Sequence, residues 1–111
     1  MSDSTIDLAV FAELQDAAGA DFVGELVGTF FEEAPGILAE MRAAQTMQNV
    51  DAFRRAAHSL KSNGNTFGAT RLAEMARDLE LGGLITDAGP VDALDAEYQR
   101  TAQALKGLVS G

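Results

Sequence analysis

One stretch of the chain, residues 50–69, brings together side chains that can do chemistry. It holds the only histidine of the sequence, His58. On a helix of 3.6 residues per turn, positions i−4, i+3, i+4 and i+7 lie on the same face as residue i. For His58 these positions carry two cations, a hydroxyl and an amide, namely Arg54, Lys61, Ser62 and Asn65. The sequence therefore predicts a single imidazole surrounded by polar groups on one helical face.

The opposite face of the same helix is apolar. Its predicted core residues lie within about 80° of one another around the axis, and they are Phe53, Ala57, Leu60, Gly64 and Phe67. His58 lies roughly 140° from the centre of this face, so we expect its ring to be exposed to solvent. A glycine inside a helix costs about 1 kcal/mol relative to alanine. For Gly64 we expect the reason to be the close approach of a neighbouring helix.

Three interpretations of His58 are open. The ring can be a surface side chain without a role, a metal ligand, or the acceptor of a phosphoryl group. A metal site is disfavoured because the chain has no cysteine and no second histidine, so three carboxylates would have to join a ring whose predicted neighbours are cations. Phosphoryl acceptance is chemically feasible because imidazole, with an unperturbed pKa of about 6.5, is nucleophilic near neutral pH.

The neighbours of His58 fit phosphoryl acceptance, although each also has a simpler explanation. Lys61 can stabilise charge on the phosphoryl oxygens during transfer, or it can be an ordinary solvated lysine. Arg54 can reach the same group, or it can pair with Asp51 or with glutamates. The remaining neighbours are expected to support the site or the docking of a partner by being small, polar or closely packed: Ser62, Gly64 and Asn65.

The segment AHSLKSNGNTFGATRLAEMARDLE resembles the signature of the histidine-containing phosphotransfer (HPt) domains of bacterial phosphorelays. The family pattern is His-x-Leu-Lys, a Gly or Ser, a run of small residues, Gly-Ala before the next helix, and often Leu-Glu at the end of that helix. The matching residues are His58, Leu60, Lys61, Ser62, Gly64, Gly68, Ala69, Leu79 and Glu80. Many members have Gly at the position of Ser62. The segment DFVGELVGTFFEEAPGILAEM resembles the preceding helix of the family, so the resemblance spans about residues 6–108.

This resemblance implies a phosphorelay intermediate. A receiver domain of a hybrid histidine kinase would dock over His58, and its phospho-aspartate would pass the phosphoryl group to Nε2 of the ring. The group would then pass to an aspartate in the receiver domain of a response regulator. Mg²⁺ is expected on the receiver domains, and no cofactor or metal is expected on this chain. The alternative is a helical binding module that docks a partner through the His58 face without phosphotransfer.

Helical periodicity also organises the first half of the chain. A first helix is expected to be capped by Asp7 and to end at Gly19. A second helical pattern covers about residues 20–46 but contains Pro35, which normally kinks or ends a helix. One kinked helix and two abutting helices both fit this pattern. We prefer the kinked helix, which the resemblance also favours.

Two more helices are expected in the second half. Thr70 is expected to cap a helix that ends at Gly82-Gly83, and residues 82–89 form the connection. The last helix begins near Pro90, and its apolar residues follow the 3-4-3-4-3 spacing of a bundle seam: Val91, Leu94, Tyr98, Thr101, Leu105 and Leu108. The elements together predict an all-α fold, an antiparallel four-helix bundle with an additional short N-terminal helix.

The composition fits one helical domain, residues 1–111, with flexible residues 1–5. The net charge of −9 argues against nucleic acid and anionic membranes as partners, because both need basic surfaces. No signal peptide, long apolar run or nucleotide-binding motif is found, so we expect a cytoplasmic protein without ATP-dependent kinase activity. We also expect a monomer. Six carboxylates follow helix surfaces and are expected to be solvated: Glu32, Glu33, Asp78, Glu80, Asp95 and Glu97.

Overall fold

The computed structural model describes residues 5–82 and 87–110. Within these ranges the chain forms helices and no strands, as the sequence predicts. The helices are α1 (Leu8–Ala18), α2 (Ala20–Met47), α3 (Val50–Phe67), α4 (Thr70–Gly82) and α5 (Gly89–Ser110). Helix α3 packs against both α2 and α4, while α1 packs on α2 and α3. The all-α prediction is confirmed, whereas the flexible residues 1–5 and the 82–89 connection lie partly outside the described residues.

Helix α3, which carries His58, has well-defined ends. At its start, the Asn49 side chain accepts a hydrogen bond of 3.1 Å from the Ala52 N–H, and the charge of Asp51 in the first turn suits the helix dipole. At its end, Gly68 has φ +78°, a left-handed conformation that glycine adopts without strain. These two caps define the length of the helix that carries His58.

The turn from α3 into α4 differs from the prediction in one respect. Thr70 does not cap α4 but is its first residue, and its hydroxyl donates a hydrogen bond of 3.4 Å to the Gly68 carbonyl. The Ala69 carbonyl accepts the first hydrogen bond of α4, from the Ala73 N–H at 3.0 Å. The chain therefore enters α4 one residue earlier than it would with Thr70 as the cap, because the left-handed Gly68 already turns it out of α3.

Helix α2 runs without interruption through Pro35. The structure thus has one helix where the sequence allowed two. Pro35 is exposed while Ala34 beside it is buried. Because the proline faces solvent, water can reach the carbonyl that loses its N–H partner there.

The core holds the residues that periodicity assigned to it. All five predicted core residues of α3 are buried, and so are the seam residues of α5 except for half-buried Leu108. Three aromatic rings join α2, α3 and α5, since the Phe30 ring lies 5.3 Å from that of Phe67 and 5.5 Å from that of Tyr98. This packing holds α3 with its polar face outward. Among the helices of the described ranges, none has the length and hydropathy needed to cross a membrane.

Gly64 lies at a close approach of α3 to the start of α4. A Cβ built on Gly64 would lie 3.2 Å from both the Cβ and the N of Ala73, and 3.3 Å from the Ala69 carbonyl oxygen. Contacts this short leave no room for a side chain unless α4 shifts. The close helix approach predicted from the presence of this glycine is confirmed.

Three of the six carboxylates predicted to be solvated have partners. Glu97 is only 2% exposed, and its Oε1 lies 2.7 Å from Nη2 of Arg100. Asp95 lies 3.4 Å from Nη2 of Arg42. The third is Glu80, which belongs to the site described next. The contacts of Asp95 and Glu80 cross between helices, so spacing along one helix does not reveal them.

Candidate functional site

The His58 ring lies on the outer face of α3, as predicted. Its side chain is 57% exposed, and Nδ1 lies 2.9 Å from Oε2 of Glu80. Among the described residues, none forms a hydrogen bond with Nε2. One ring nitrogen is therefore held by the protein, and the other is available to solvent or to a partner.

Glu80 reaches His58 because α3 and α4 form an antiparallel helical hairpin. The hairpin turns at Gly68-Ala69, so residues at equal distances before and after Ala69 lie level with each other. His58 stands eleven positions before Ala69 and Glu80 eleven positions after it. Glu80 lies in the last turn of α4, and its side chain is only 21% exposed. The hairpin thus delivers a shielded carboxylate to the imidazole.

Lys61 contacts the other oxygen of the same carboxylate. Its Nζ lies 2.9 Å from Oε1 of Glu80, and its side chain is 24% exposed. Oε1 is shielded from solvent and forms no well-aligned hydrogen bond among the described residues, so the contact with Lys61 is best described as an ion pair. Lys61 lowers the pKa of the Glu80 carboxyl, and the hydrogen bond to His58 lowers it further, whereas desolvation acts in the opposite direction. Glu80 is therefore ionised at neutral pH.

Arg54 contacts Glu80 through the main chain. Its Nε donates a hydrogen bond of 3.2 Å to the Glu80 carbonyl oxygen. Of the partners considered from the sequence, neither Asp51 nor a glutamate carboxylate pairs with Arg54 in the described part of the chain. Three side chains of α3 thus converge on one residue of α4.

His58 also borders a groove between α2 and α3. Ser62 lines the α3 wall of this groove, and Gly36 and Ile37 line the α2 wall together with three glutamates, Glu32, Glu33 and Glu40. Asn65, one turn beyond Lys61, is exposed but does not line the groove. Of the predicted neighbours of His58, the structure therefore brings Arg54, Lys61 and Ser62 to the site. Gly64 supports the site from below by its contact with α4.

The family model of the Hpt domain matches residues 25–104, which is most of the chain and includes every residue of the site. The chain belongs to the Hpt domain family. Comparison with curated proteins and with solved structures gives no significant match. Hpt domains perform histidine phosphotransfer in phosphorelays and interact with receiver domains. The resemblance inferred from the His58 segment is confirmed.

The geometry of this Hpt domain determines where the proton on His58 resides. An ionised carboxylate can only accept hydrogen bonds. Because Glu80 is ionised, Nδ1 must carry the hydrogen in the 2.9 Å contact. In a neutral imidazole the other nitrogen then keeps its lone pair. The lone pair of the neutral ring therefore lies on Nε2, the nitrogen that does not contact Glu80.

Glu80 is the site residue that sequence reasoning missed. The family pattern includes it in the Leu-Glu element, whereas helical spacing predicts a solvated carboxylate at this position. The sequence feature that could have revealed it is the equal distance of residues 58 and 80 from the turn, which places them side by side in the helical hairpin. Within residues 5–82 and 87–110 there is no cluster of three or more potential metal ligands, and the expectation that this chain binds no metal remains a prediction.

Proposed function

We propose that this Hpt domain is a phosphorelay intermediate that relays a phosphoryl group between two receiver domains through His58. The donor would be a phospho-aspartate in the receiver domain of a hybrid histidine kinase, and the acceptor an aspartate of a response regulator. The observation that carries the proposal is the state of the His58 ring. Its Nδ1 is bound to Glu80 while its Nε2 is open to an approaching partner.

The transfer is a single displacement at phosphorus. The lone pair on Nε2 attacks the phosphorus atom, a P–N bond forms, and the P–O bond to the donor aspartate breaks with its electron pair leaving on the aspartate carboxylate. The ring keeps its proton on Nδ1 and becomes positively charged. The Glu80 carboxylate, 2.9 Å from Nδ1, stabilises that charge as it develops. The reverse displacement, onto a second receiver, returns the ring to neutrality.

Lys61 is proposed to act in two ways. Its ammonium can stabilise the charge on the phosphoryl oxygens, as its position one turn beyond His58 allows. Its 2.9 Å contact with Glu80 also keeps that carboxylate ionised and in place beside the ring. Both effects favour phosphotransfer, so removal of the lysine should slow the reaction.

Receiver domains are proposed to dock over the groove beside His58. Gly36 and Ile37 supply small and apolar surface there, next to Ser62 on α3. A contribution from α1 is also proposed through Leu8, which is 62% exposed and lies in a second groove that Ala104 of α5 also lines. A relay protein must release each partner after transfer, so a contact of modest area is expected.

The remaining expectations complete the proposal. The chain acts as a monomer in the cytoplasm, where hybrid kinases and response regulators exchange phosphoryl groups. It binds no cofactor of its own, and any Mg²⁺ needed for transfer is held by the receiver domain. It does not use ATP directly, so its phosphorylation depends on a phosphorylated partner.

The test is transfer from a receiver domain phosphorylated with labelled phosphate. Wild-type protein should gain acid-labile, base-stable label, and addition of a second receiver should remove it. His58→Gln should keep the melting temperature, because the ring lies off the core face, and should gain no label. Label on the mutant at the wild-type level would refute His58 as the acceptor. Binding of the receiver by both proteins without any transfer would instead identify a docking module.

A further inference from the structure

The end of α4 beside His58 is held by a side chain from another helix. Carbonyl groups in the last turn of a helix have no N–H partner within that helix, and a cation is favourable there. Helix α4 has no basic residue in its own last turn. Arg54 of α3 supplies the cation instead, since its Nε donates to the Glu80 carbonyl at 3.2 Å.

Three contacts of Glu80 with α3 form one clamp, in which Lys61 pairs with the second oxygen of the carboxylate. Arg54 binds the main chain of Glu80, and His58, one helical turn further along α3, binds its side chain. Because Glu80 stands only two residues before the end of α4, the last turn of this helix depends on such outside contacts for its position. Loss of the Arg54 contact with the Glu80 carbonyl therefore displaces the Glu80 carboxylate, which decides which nitrogen of the His58 ring carries the proton.

We infer that Arg54 is a positioning residue for phosphotransfer, which acts by fixing the end of α4 so that Glu80 holds the Nδ1 proton of His58. Its effect on transfer rests on the function proposed above. Its effect on the imidazole does not, because the state of the ring can be measured in the unphosphorylated protein. This separation allows the two proposals to fail independently.

The primary experiment compares wild type with Arg54→Ala by ¹⁵N NMR of the His58 ring at a pH where it is neutral. Wild type should show the tautomer protonated at Nδ1, and Arg54→Ala should show an averaged population of the two tautomers. Transfer from a phosphorylated receiver should slow by about three- to tenfold, because displacement of a catalytic group by 1 Å can cost up to about 100-fold. Arg54→Lys, which keeps a donor and a charge, should restore part of both signals.

Arg55→Ala is the matched control. Arg55 is also exposed, borders the same face and carries the same charge, but it forms no hydrogen bond or ion pair with the described residues. Arg55→Ala should leave the tautomer of His58 unchanged, so any loss of transfer rate in this variant measures the effect of charge on docking. The loss of transfer rate in Arg54→Ala should be larger than the loss in Arg55→Ala.

A double variant tests whether Arg54 acts through Glu80. If it does, Arg54→Ala combined with Glu80→Gln should transfer no more slowly than Glu80→Gln alone. Independent, multiplicative losses would overturn the inference, and so would a wild-type tautomer in Arg54→Ala. A wild-type protein that accepts no phosphoryl group would refute the proposed function, while the NMR comparison would still decide the role of Arg54.

Discussion

Replacement of Gly64 by leucine tests whether the spacing of α3 and α4 controls both stability and the site. A Cβ at this position would already lie 3.2 Å from Ala73 and 3.3 Å from the Ala69 carbonyl. Two of its three nearest atoms belong to the backbone, which cannot rotate away as the end of a flexible side chain can. Leucine would add three more carbon atoms beyond that Cβ, so α4 must move outward.

The magnitude follows from two opposing effects. Overpacking of a core costs about 1–3 kcal/mol, and the backbone contacts place Gly64→Leu in the upper half of that range. The gain in helix propensity over glycine returns about 1 kcal/mol. The net loss is then about 1–2 kcal/mol, or about 4–8 °C in melting temperature for a domain of this size. Gly64→Ala adds only the Cβ and its contacts with Ala73 and Ala69, so the cost of overpacking and the gain in helix propensity nearly cancel.

The same displacement should impair phosphotransfer. Glu80 follows Ala73 by seven residues, two turns along α4, and its carboxylate lies 2.9 Å from His58. A hydrogen bond is lost beyond about 3.5 Å, so an outward shift of about 0.6 Å is sufficient to break it. Transfer from a phosphorylated receiver should therefore slow together with the loss of stability.

Thermal unfolding followed by circular dichroism and a timed transfer assay measure the two effects. Gly28→Leu is the matched control, because a Cβ at Gly28 in α2 meets nothing within 4 Å, and it should keep or raise the melting temperature. A Gly64→Leu variant with the wild-type melting temperature would show that α3 and α4 are not closely packed there. If Gly64→Leu loses the expected stability but transfers at the wild-type rate, helix spacing does not control the site.

Three further predictions follow from the ion pairs. Lys61→Ala should slow transfer about tenfold, or ~1.4 kcal/mol in the activation free energy, and should lower the melting temperature slightly, because it also removes the ion pair with Glu80; an unchanged rate would show that Lys61 has no part in transfer. The pKa of Glu80 is lower in the folded protein than the unfolded value of about 4.3, so its contribution to stability is complete above that value and is lost as the pH falls through the lower folded value. ¹³C NMR titration of the Glu80 carboxyl should find a lowered midpoint, and Lys61→Ala should raise it. A midpoint at the ordinary glutamate value in the wild type would contradict the ion pair. Arg100→Ala should destabilise the domain by about 1–2 kcal/mol, because it leaves the Glu97 carboxylate buried with only the 3.6 Å contact to Arg71, and equal melting temperatures for Arg100→Ala and Arg71→Ala would contradict this ranking.

Properties that depend on one helix were predictable from the sequence. The exposure of His58 and the burial of Phe53 and Phe67 follow from 3.6-residue periodicity alone. The extension of α2 through Pro35 rests partly on the family resemblance, because proline by itself is compatible with either arrangement. The structure shows one helix, and the solvent exposure of the proline gives the physical reason.

Properties that depend on two helices were less accessible. The contact between His58 and Glu80 requires the register of the α3–α4 hairpin, which is set by the left-handed turn at Gly68. Thr70 was expected to be the cap because threonine often is, but that same turn makes the Ala69 carbonyl the first acceptor of α4. Each discrepancy arose where a turn, rather than periodicity, decides which residues meet.

The burial of Glu97 illustrates a different limit. This residue follows Leu94 by three positions, so periodicity already places it beside the seam of α5. Its charge argued for solvent, yet a buried carboxylate is tolerated when a cation pairs with it. Arg100 supplies that cation one turn further along the same helix. The i, i+3 spacing of Glu97 and Arg100 is visible in the sequence, but the burial of the Glu97 side chain is not.

His58 is proposed to accept the phosphoryl group on Nε2 because Glu80 holds Nδ1. The most direct measurement is ³¹P–¹⁵N correlation NMR on protein with a ¹⁵N-labelled imidazole, after phosphorylation by a receiver domain. We expect phosphorus to couple to Nε2 and a proton to stay on Nδ1. Coupling of phosphorus to Nδ1, or a phosphoryl group carried by a residue other than His58, would contradict it.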